Sequence, residues 1–206
     1  IGEAFVESLG LPYRLQVKAG KFRSSFGKIN TRHPHSLPYI GLPLIYRNYL
    51  GPGGLSDVGI SLSWLTPAPF YQEIILETTS GASTPSFARN DNNRLLYTGR
   101  LENFWDLSEA STLELGLNAS SGPNSLGYAT NLGGVDLTYI WKPLRYSTYN
   151  SFELQGEVFV SNRRMPNDRE LNSWGMYVMG NYQVARRWYL IGRVDHADIP
   201  TNDMWN

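Results

Sequence analysis

The sequence predicts an all-β fold: a single antiparallel up-and-down barrel that crosses a membrane. Three observations carry this. Apolar and polar residues alternate over about ten segments, short and long connections alternate, and an aromatic residue stands beside each short turn. Period-two alternation sends successive side chains to opposite faces of a strand, so each segment has one apolar and one polar face. The segments run to about eight to twelve residues, near the nine to eleven that cross a bilayer at a tilt. Helical periodicity is nearly absent.

Taken in order, the first segment, around Glu3 to Ser8, is poorly phased. The second sets Tyr13, Leu15, Val17 and Ala19 against Arg14, Gln16, Lys18 and Gly20. The third sets Val58, Ile60, Leu62 and Trp64 against Gly59, Ser61 and Ser63. The fourth and fifth lie between the turns and put Glu73, Glu77, Arg100 and Glu102 on the polar phase. The sixth sets Leu113, Leu115, Leu117 and Ala119 against Glu114, Gly116 and Asn118, and the seventh sets Val135, Leu137, Tyr139 and Trp141 against Asp136, Thr138 and Lys142. The eighth opposes Phe152, Leu154, Val158 and Val160 to Glu153, Gln155 and Glu157. The last two place Trp174, Met176, Val178 and Tyr182 opposite Ser173, Gly175 and Asn181, then Trp188, Leu190 and Val194 opposite Arg193 and Asp195.

Short turns are expected near 10–12, 66–69, 106–110, 143–150 and 185–187, and long loops over 24–56, 80–94, 120–131 and 161–172. The turn aromatics are Tyr13, Trp64, Phe70, Trp105, Trp141, Phe152, Tyr182 and Trp188, all on the apolar phase. Aromatic rings with a polar tip favour the headgroup level, so this row reads as an interfacial girdle. In outer-membrane barrels the short turns face the periplasm, which would put the girdle there.

Composition fits one β domain over residues 1–206. Hydrophobic residues are 41% and aromatics 13%, while charged residues are only 17%, against about a quarter in soluble domains. No apolar run is long enough for a transmembrane helix. Cys is absent, which removes thiol catalysis, thiolate metal sites and disulfides.

One resemblance follows. The segment Lys18-Ala-Gly-Lys-Phe-Arg-Ser-Ser-Phe-Gly-Lys-Ile-Asn30, then His33 and His35, then Trp64-Leu-Thr-Pro67, is similar to the early part of porin-like outer-membrane barrels of Gram-negative bacteria. So are Phe104-Trp-Asp-Leu-Ser-Glu-Ala-Ser-Thr-Leu-Glu-Leu-Gly116, Gly134-Val-Asp-Leu-Thr-Tyr-Ile-Trp-Lys-Pro143 and Arg187-Trp-Tyr-Leu-Ile-Gly-Arg-Val-Asp195. The resemblance implies a location in the bacterial outer membrane and diffusion or uptake of solutes there, and it brings no catalytic residues. It leads one to expect an incomplete barrel, with further strands enclosing an aqueous lumen.

On this phasing the lumen is lined by Arg14, Lys18, Glu73, Glu77, Arg100, Glu102, Glu114, Asp136, Lys142, Glu153, Glu157, Arg193 and Asp195. Residues 1–50 carry seven basic and two acidic groups, and residues 51–160 five and eleven, so one wall is positive and another negative. Such walls set up a transverse field that tunes ion and solute preference, or simply solvate the interior and pair across strands. The loop over 24–56 is too long to stay structureless and is expected to enter the lumen or cover its mouth as a constriction or plug. It carries Arg32, His33, His35 and Arg47. His33 and His35 are a weak candidate metal pair without a third ligand, so an ordinary polar loop is the expectation.

Enzyme chemistry finds no support. His196 lies near Asp195 and Asp198 without a serine motif, Glu73 and Glu77 have no evident sugar cleft, and Gly51 to Gly54 lacks the Lys-Ser or Lys-Thr of a phosphate loop. No cofactor is implied. A net charge of zero without a basic stripe argues against nucleic acid. The expected partners are membrane lipid and small hydrophilic solutes or ions. The alternatives are a docking barrel whose lumen is filled by its own loops or a partner protein, and a soluble carbohydrate-binding β-sandwich.

Overall fold

A computed structural model of the chain describes residues 2–32, 41–81, 84–89, 94–145 and 148–201. Ten strands form one antiparallel sheet in simple sequence order: β1 (Ala4–Ser8), β2 (Leu15–Arg23), β3 (Ser56–Leu65), β4 (Tyr71–Thr79), β5 (Leu96–Ser108), β6 (Ser111–Pro123), β7 (Ala129–Trp141), β8 (Ser151–Arg164), β9 (Glu170–Ala185) and β10 (Trp188–Ala197). This is the all-β up-and-down order that the alternation predicts. β1 and β10 stand at the two ends of the sheet, and no pairing joins them among the described residues. No second sheet covers either face among the described residues.

Register explains how the phases align. Ile75 stands opposite Arg100, Arg100 opposite Asn118, Asn118 opposite Gly134 and Gly134 opposite Phe159. Residues directly opposite in an antiparallel pair share a face. The polar phases of all these strands therefore form one continuous surface, and the apolar phases form the other.

Burial on the two faces is inverted relative to a soluble sheet. Val58, Ile60, Leu76, Leu117, Val135, Val158, Val178 and Val194 are exposed, while Arg100, Asp136, Gln155 and Glu157 are each no more than 4% exposed. The chain's own loops cover much of the polar face from β4 onward. A core of Phe26, Ile29, Ile45, Tyr46, Tyr49, Leu50, Leu55 and Phe87 from two loops packs on Leu96, Leu132, Phe159, Tyr177 and Met179 of β5, β7, β8 and β9.

Two connections are shorter than the sequence leads one to expect. The segments 120–131 and 161–172 are largely strand, and the actual turns are 124–128 and 165–169. Their Ser, Gly and Asn residues lose the apolar alternation, but the backbone ladder does not need it. Ser121 donates to Asn131 at 2.8 Å, and Asn162 to Asn172 at 2.8 Å. Asn124 closes the first turn, accepting from the Leu126 and Tyr128 amides and donating to the Arg164 carbonyl at 2.9 Å. Asn167 and Asp168 close the second in left-handed conformations that their short polar side chains tolerate. Among the described residues, long connections between strands therefore remain after β2, over 24–55, and after β4, over 80–95.

Tyr13 and Arg14 also depart from the expected phasing. Both take positive φ, near 61°, in a short helical turn before β2, which ends the alternation and leaves both exposed in the turn.

Candidate functional site

The candidate site is the polar face together with the loop seated on it. Asn30 ties the loop's two ends: its amide donates to the Ser24 carbonyl (2.7 Å) and the Leu55 carbonyl (2.8 Å), and its oxygen accepts from the Leu55 N–H (2.8 Å). From that knot the chain crosses the sheet. Ser24 Oγ donates to Glu77 Oε2 of β4 at 2.6 Å, and Ser25 Oγ donates to Glu77 Oε1 at 2.8 Å. The Gly27 N–H reaches Asn118 Oδ1 of β6 at 3.0 Å, and the Lys28 N–H reaches Glu157 Oε2 of β8 at 3.1 Å. Lys28 Nζ binds Glu114 Oε1 of β6. Further on, the Leu44 N–H donates to Asp195 Oδ1 of β10 at 3.4 Å, and Asn48 Nδ2 donates to the Asp198 carbonyl just after β10 at 3.2 Å. The loop thus contacts the sheet from β4 to β10.

Glu157 is the central acceptor. Tyr46 Oη donates to its Oε2 at 2.6 Å and Tyr177 Oη to its Oε1 at 2.5 Å, while Tyr46 Oη also accepts from the Ile29 N–H at 2.9 Å. Tyr46 sits on the single helical turn Tyr46–Leu50, and its ring meets Phe159 edge-on at 5.2 Å. Burial, reinforced by Glu157, holds the Tyr46 hydroxyl well above its ordinary value. Burial also pushes Tyr49 up to about 12. Gly27 is required here: its φ is +74°, and a β-carbon would lie 2.2 Å from Tyr46 Oη.

Beneath the loop, Arg100 holds Asp136 in a two-pronged pair, Nη1 to Oδ2 at 2.7 Å and Nη2 to Oδ1 at 3.0 Å. Its Nη1 also donates to Asn118 Oδ1 (2.7 Å), its Nε donates to Glu102 Oε2 (3.0 Å), and Asn118 Nδ2 donates to Asp136 Oδ2 (2.8 Å). The pair spans β5 to β7 over Gly116 of β6, where a β-carbon would come within 2.6 Å of both partners. A buried charge pair of this kind is sustained only when its remaining hydrogen-bonding capacity is met.

Of the residues expected to face a lumen, Lys18, Glu73, Glu77, Arg100, Glu102, Glu114, Asp136, Glu153, Glu157, Arg193 and Asp195 lie on strands in the polar phase. Glu73 stands opposite Glu102 and accepts from Tyr71 Oη at 2.6 Å. Arg193 Nε donates to Asp195 at 2.8 Å, and its Nη1 donates to the Gly41 carbonyl at 3.0 Å. Arg14 departs from the expected phasing, exposed in the left-handed turn, and Lys142, also exposed, lies one residue past the end of β7. The turn aromatics gather at the short-turn end, where Phe70 packs on Trp105 at 5.4 Å and Phe152 on Tyr182 at 6.4 Å. Tyr13 joins them from the turn.

Arg32 and Arg47 are exposed, and His33 and His35 lie outside the described residues. The working groups are Ser24, Ser25, Gly27, Lys28, Asn30 and Tyr46. Their signal was present in the number of apolar residues, Phe26, Ile29, Ile45, Tyr46, Tyr49 and Leu50, on a segment read as a polar connection. Two polar hollows stay open beside the loop. One of about 140 Å³ is bordered by Lys28, Arg32, Arg100 and Glu102, and one of about 200 Å³ by Glu7, Gln16, Lys18 and Glu73.

The chain is similar to an uncharacterized protein of Aquifex aeolicus (strain VF5), 31% identical over 218 residues that take in 91% of this chain and 46% of that protein. It therefore spans about half the length of the curated relative it matches. No family model and no solved structure matches.

Proposed function

We propose that this chain is part of a porin-like barrel of the Gram-negative outer membrane, through which small hydrophilic solutes or ions pass along the polar face. The single observation behind this is the inverted burial: Leu, Val, Ile and Trp side chains lie exposed across the sheet while a charged network lies buried opposite. In water such an apolar expanse would be a large uncovered patch, whereas hydrocarbon satisfies it and the strand ladder satisfies the backbone between the two edge strands. The aromatics at the short-turn end support an interface at that level. Closing the free edges of β1 and β10 with strands from the rest of a longer protein would remove the sheet's unpaired edges.

Selection in this proposal is by size and field. The 24–55 loop narrows the path, and the remaining polar hollows present both signs, with Lys18, Arg32 and Arg100 beside Glu7, Glu73 and Glu102. No covalent step is involved.

A second reading, a docking barrel plugged by its own loop, draws on the loop's anchoring from β4 to β10. Conductance separates the two. In planar bilayers a channel gives steady single-channel steps, and folded, inserted protein without current would sink the porin reading in favour of the plug. Protein that stays in the aqueous fraction without detergent would sink both.

A further inference from the structure

The outer face is not uniformly bulky. Leu76, Gly99, Ala119, Gly133 and Val160 stand opposite one another in successive strands, β4 to β8. Across this row the side chains shrink from leucine to a methyl or nothing for three strands and then return to valine. With Tyr97 they border an open groove of about 870 Å³, within the range of about 300–1,000 Å³ typical of small-molecule sites. The row just beyond it is polar: Ser121, Asn131, Asn162 and Asn172 stand opposite one another across β6 to β9 and edge the groove. The row on the other side is apolar, with Leu101, Leu117, Val135 and Val158 in line. The groove therefore lies where the outer face changes from apolar to polar, toward the long-loop end.

Internal packing does not demand this hollow. A β-carbon at Gly99 would meet nothing nearer than Leu76 Cδ2 at 3.6 Å, and one at Gly133 nothing nearer than Val160 Cγ2 at 3.3 Å. At Gly116 and Gly59, by contrast, a β-carbon would clash below 2.5 Å. The fold forbids side chains at the latter two positions, leaves room for one at Gly99, and admits one at Gly133 with a small shift of the Val160 side chain. Past the polar row, exposed Arg94 borders a smaller hollow of about 320 Å³ that shares Tyr97 and Ser121 with the groove. An apolar trough, a rim of amides and hydroxyls, and a guanidinium beyond them match, in order, an acyl chain, its ester linkage and a phosphate.

We infer that this groove binds one acyl chain of a phosphorylated lipid, with Arg94 on the phosphate and Ser121 and Asn131 at the linkage. This rests on the reading of the outer face as lipid-facing. The test is native mass spectrometry of the full chain in non-ionic detergent, titrated with phosphatidylglycerol and with phosphatidylcholine of the same acyl length. The expected result is one retained phosphatidylglycerol, held at least about fivefold more strongly than phosphatidylcholine. Gly99→Leu with Gly133→Leu removes retention of both lipids, and Arg94→Gln keeps a bound lipid but loses the headgroup preference. Ala119→Phe fills the trough with a single change and serves if the double variant does not fold, as judged by circular dichroism. Equal retention in wild type and filled variants, or a preference that survives Arg94→Gln, overturns the groove while leaving the membrane reading intact. A chain that needs no detergent and retains no lipid of either kind overturns both.

Discussion

The polar face has two walls built from similar residues, and they differ in cover. On β5 to β9, Arg100, Asp136, Gln155 and Glu157 lie beneath the loop, each hydrogen-bonded and nearly inaccessible. On β1 to β3, Lys18 and Glu7 sit 3.9 Å apart, each about a third exposed, and Gln16 is open. Both walls set a basic side chain against an acidic one on another strand, at 2.7 Å for Arg100 and Asp136 and at 3.9 Å for Lys18 and Glu7. The worth of a charge here is set by what lies over it: an exposed pair contributes little, and a buried one whose partner is removed is costly.

The sharpest way to break this contrast is Asp136→Ala. It removes both prongs of the buried pair and leaves the Arg100 guanidinium hydrogen-bonded to Glu102 and Asn118, and we predict a loss of about 3–5 kcal/mol, read as a lowered denaturant midpoint of the full chain in detergent. Phe159→Ala follows, since its ring supports Phe26 (5.1 Å), Tyr46 and Tyr49. A loss of about 3–5 kcal/mol is expected, at the lower end if the loop can settle into the gap. Gly27→Val should leave the strands paired and unseat the loop, because its side chain would occupy the position of Tyr46 Oη. Tryptic cleavage after Lys28 and Arg32 should accelerate, and an unchanged cleavage rate would show that the loop does not depend on this approach. Tyr46→Phe removes one donor from Glu157 and should cost about 1–3 kcal/mol. Lys18→Ala on the open wall should cost no more than about 1 kcal/mol, and a larger loss would erase the distinction between the walls.

Titration sharpens the same contrast. The Tyr46 hydroxyl titrates above its unfolded value of about 10, so its contribution to loop seating is complete below that pH and is lost as pH rises toward the folded value. Loop proteolysis in the full chain should therefore be flat up to about pH 10 and rise above it, and Tyr46→Phe should remove that rise.

The strands were legible because alternation is a local property, and most of β3 to β10 follows it, although Ile75, Leu96, Leu132, Phe159, Tyr177 and Met179 put apolar side chains on the polar face, where the loops cover most of them. It failed where backbone geometry overrode it, at Tyr13 and Arg14, and where polar residues kept the ladder going without an apolar phase, at Ser120 to Ser121 and Asn162. That the long loop is drawn onto the polar face could be expected from its length alone. Its anchors could not, because Lys28 and Glu157 lie 129 residues apart and no local pattern links them.

That separation has a consequence for assembly. The amide of Lys28 and the hydroxyl of Tyr46 have no Glu157 to bind until the eighth strand is in place, so the earliest long segment of the chain must be among the last to settle. Contacts so distant in sequence are slow to form. Until then the nascent wall carries bare carboxylates, and its final locking reports that most of the sheet has already been laid down in the correct register.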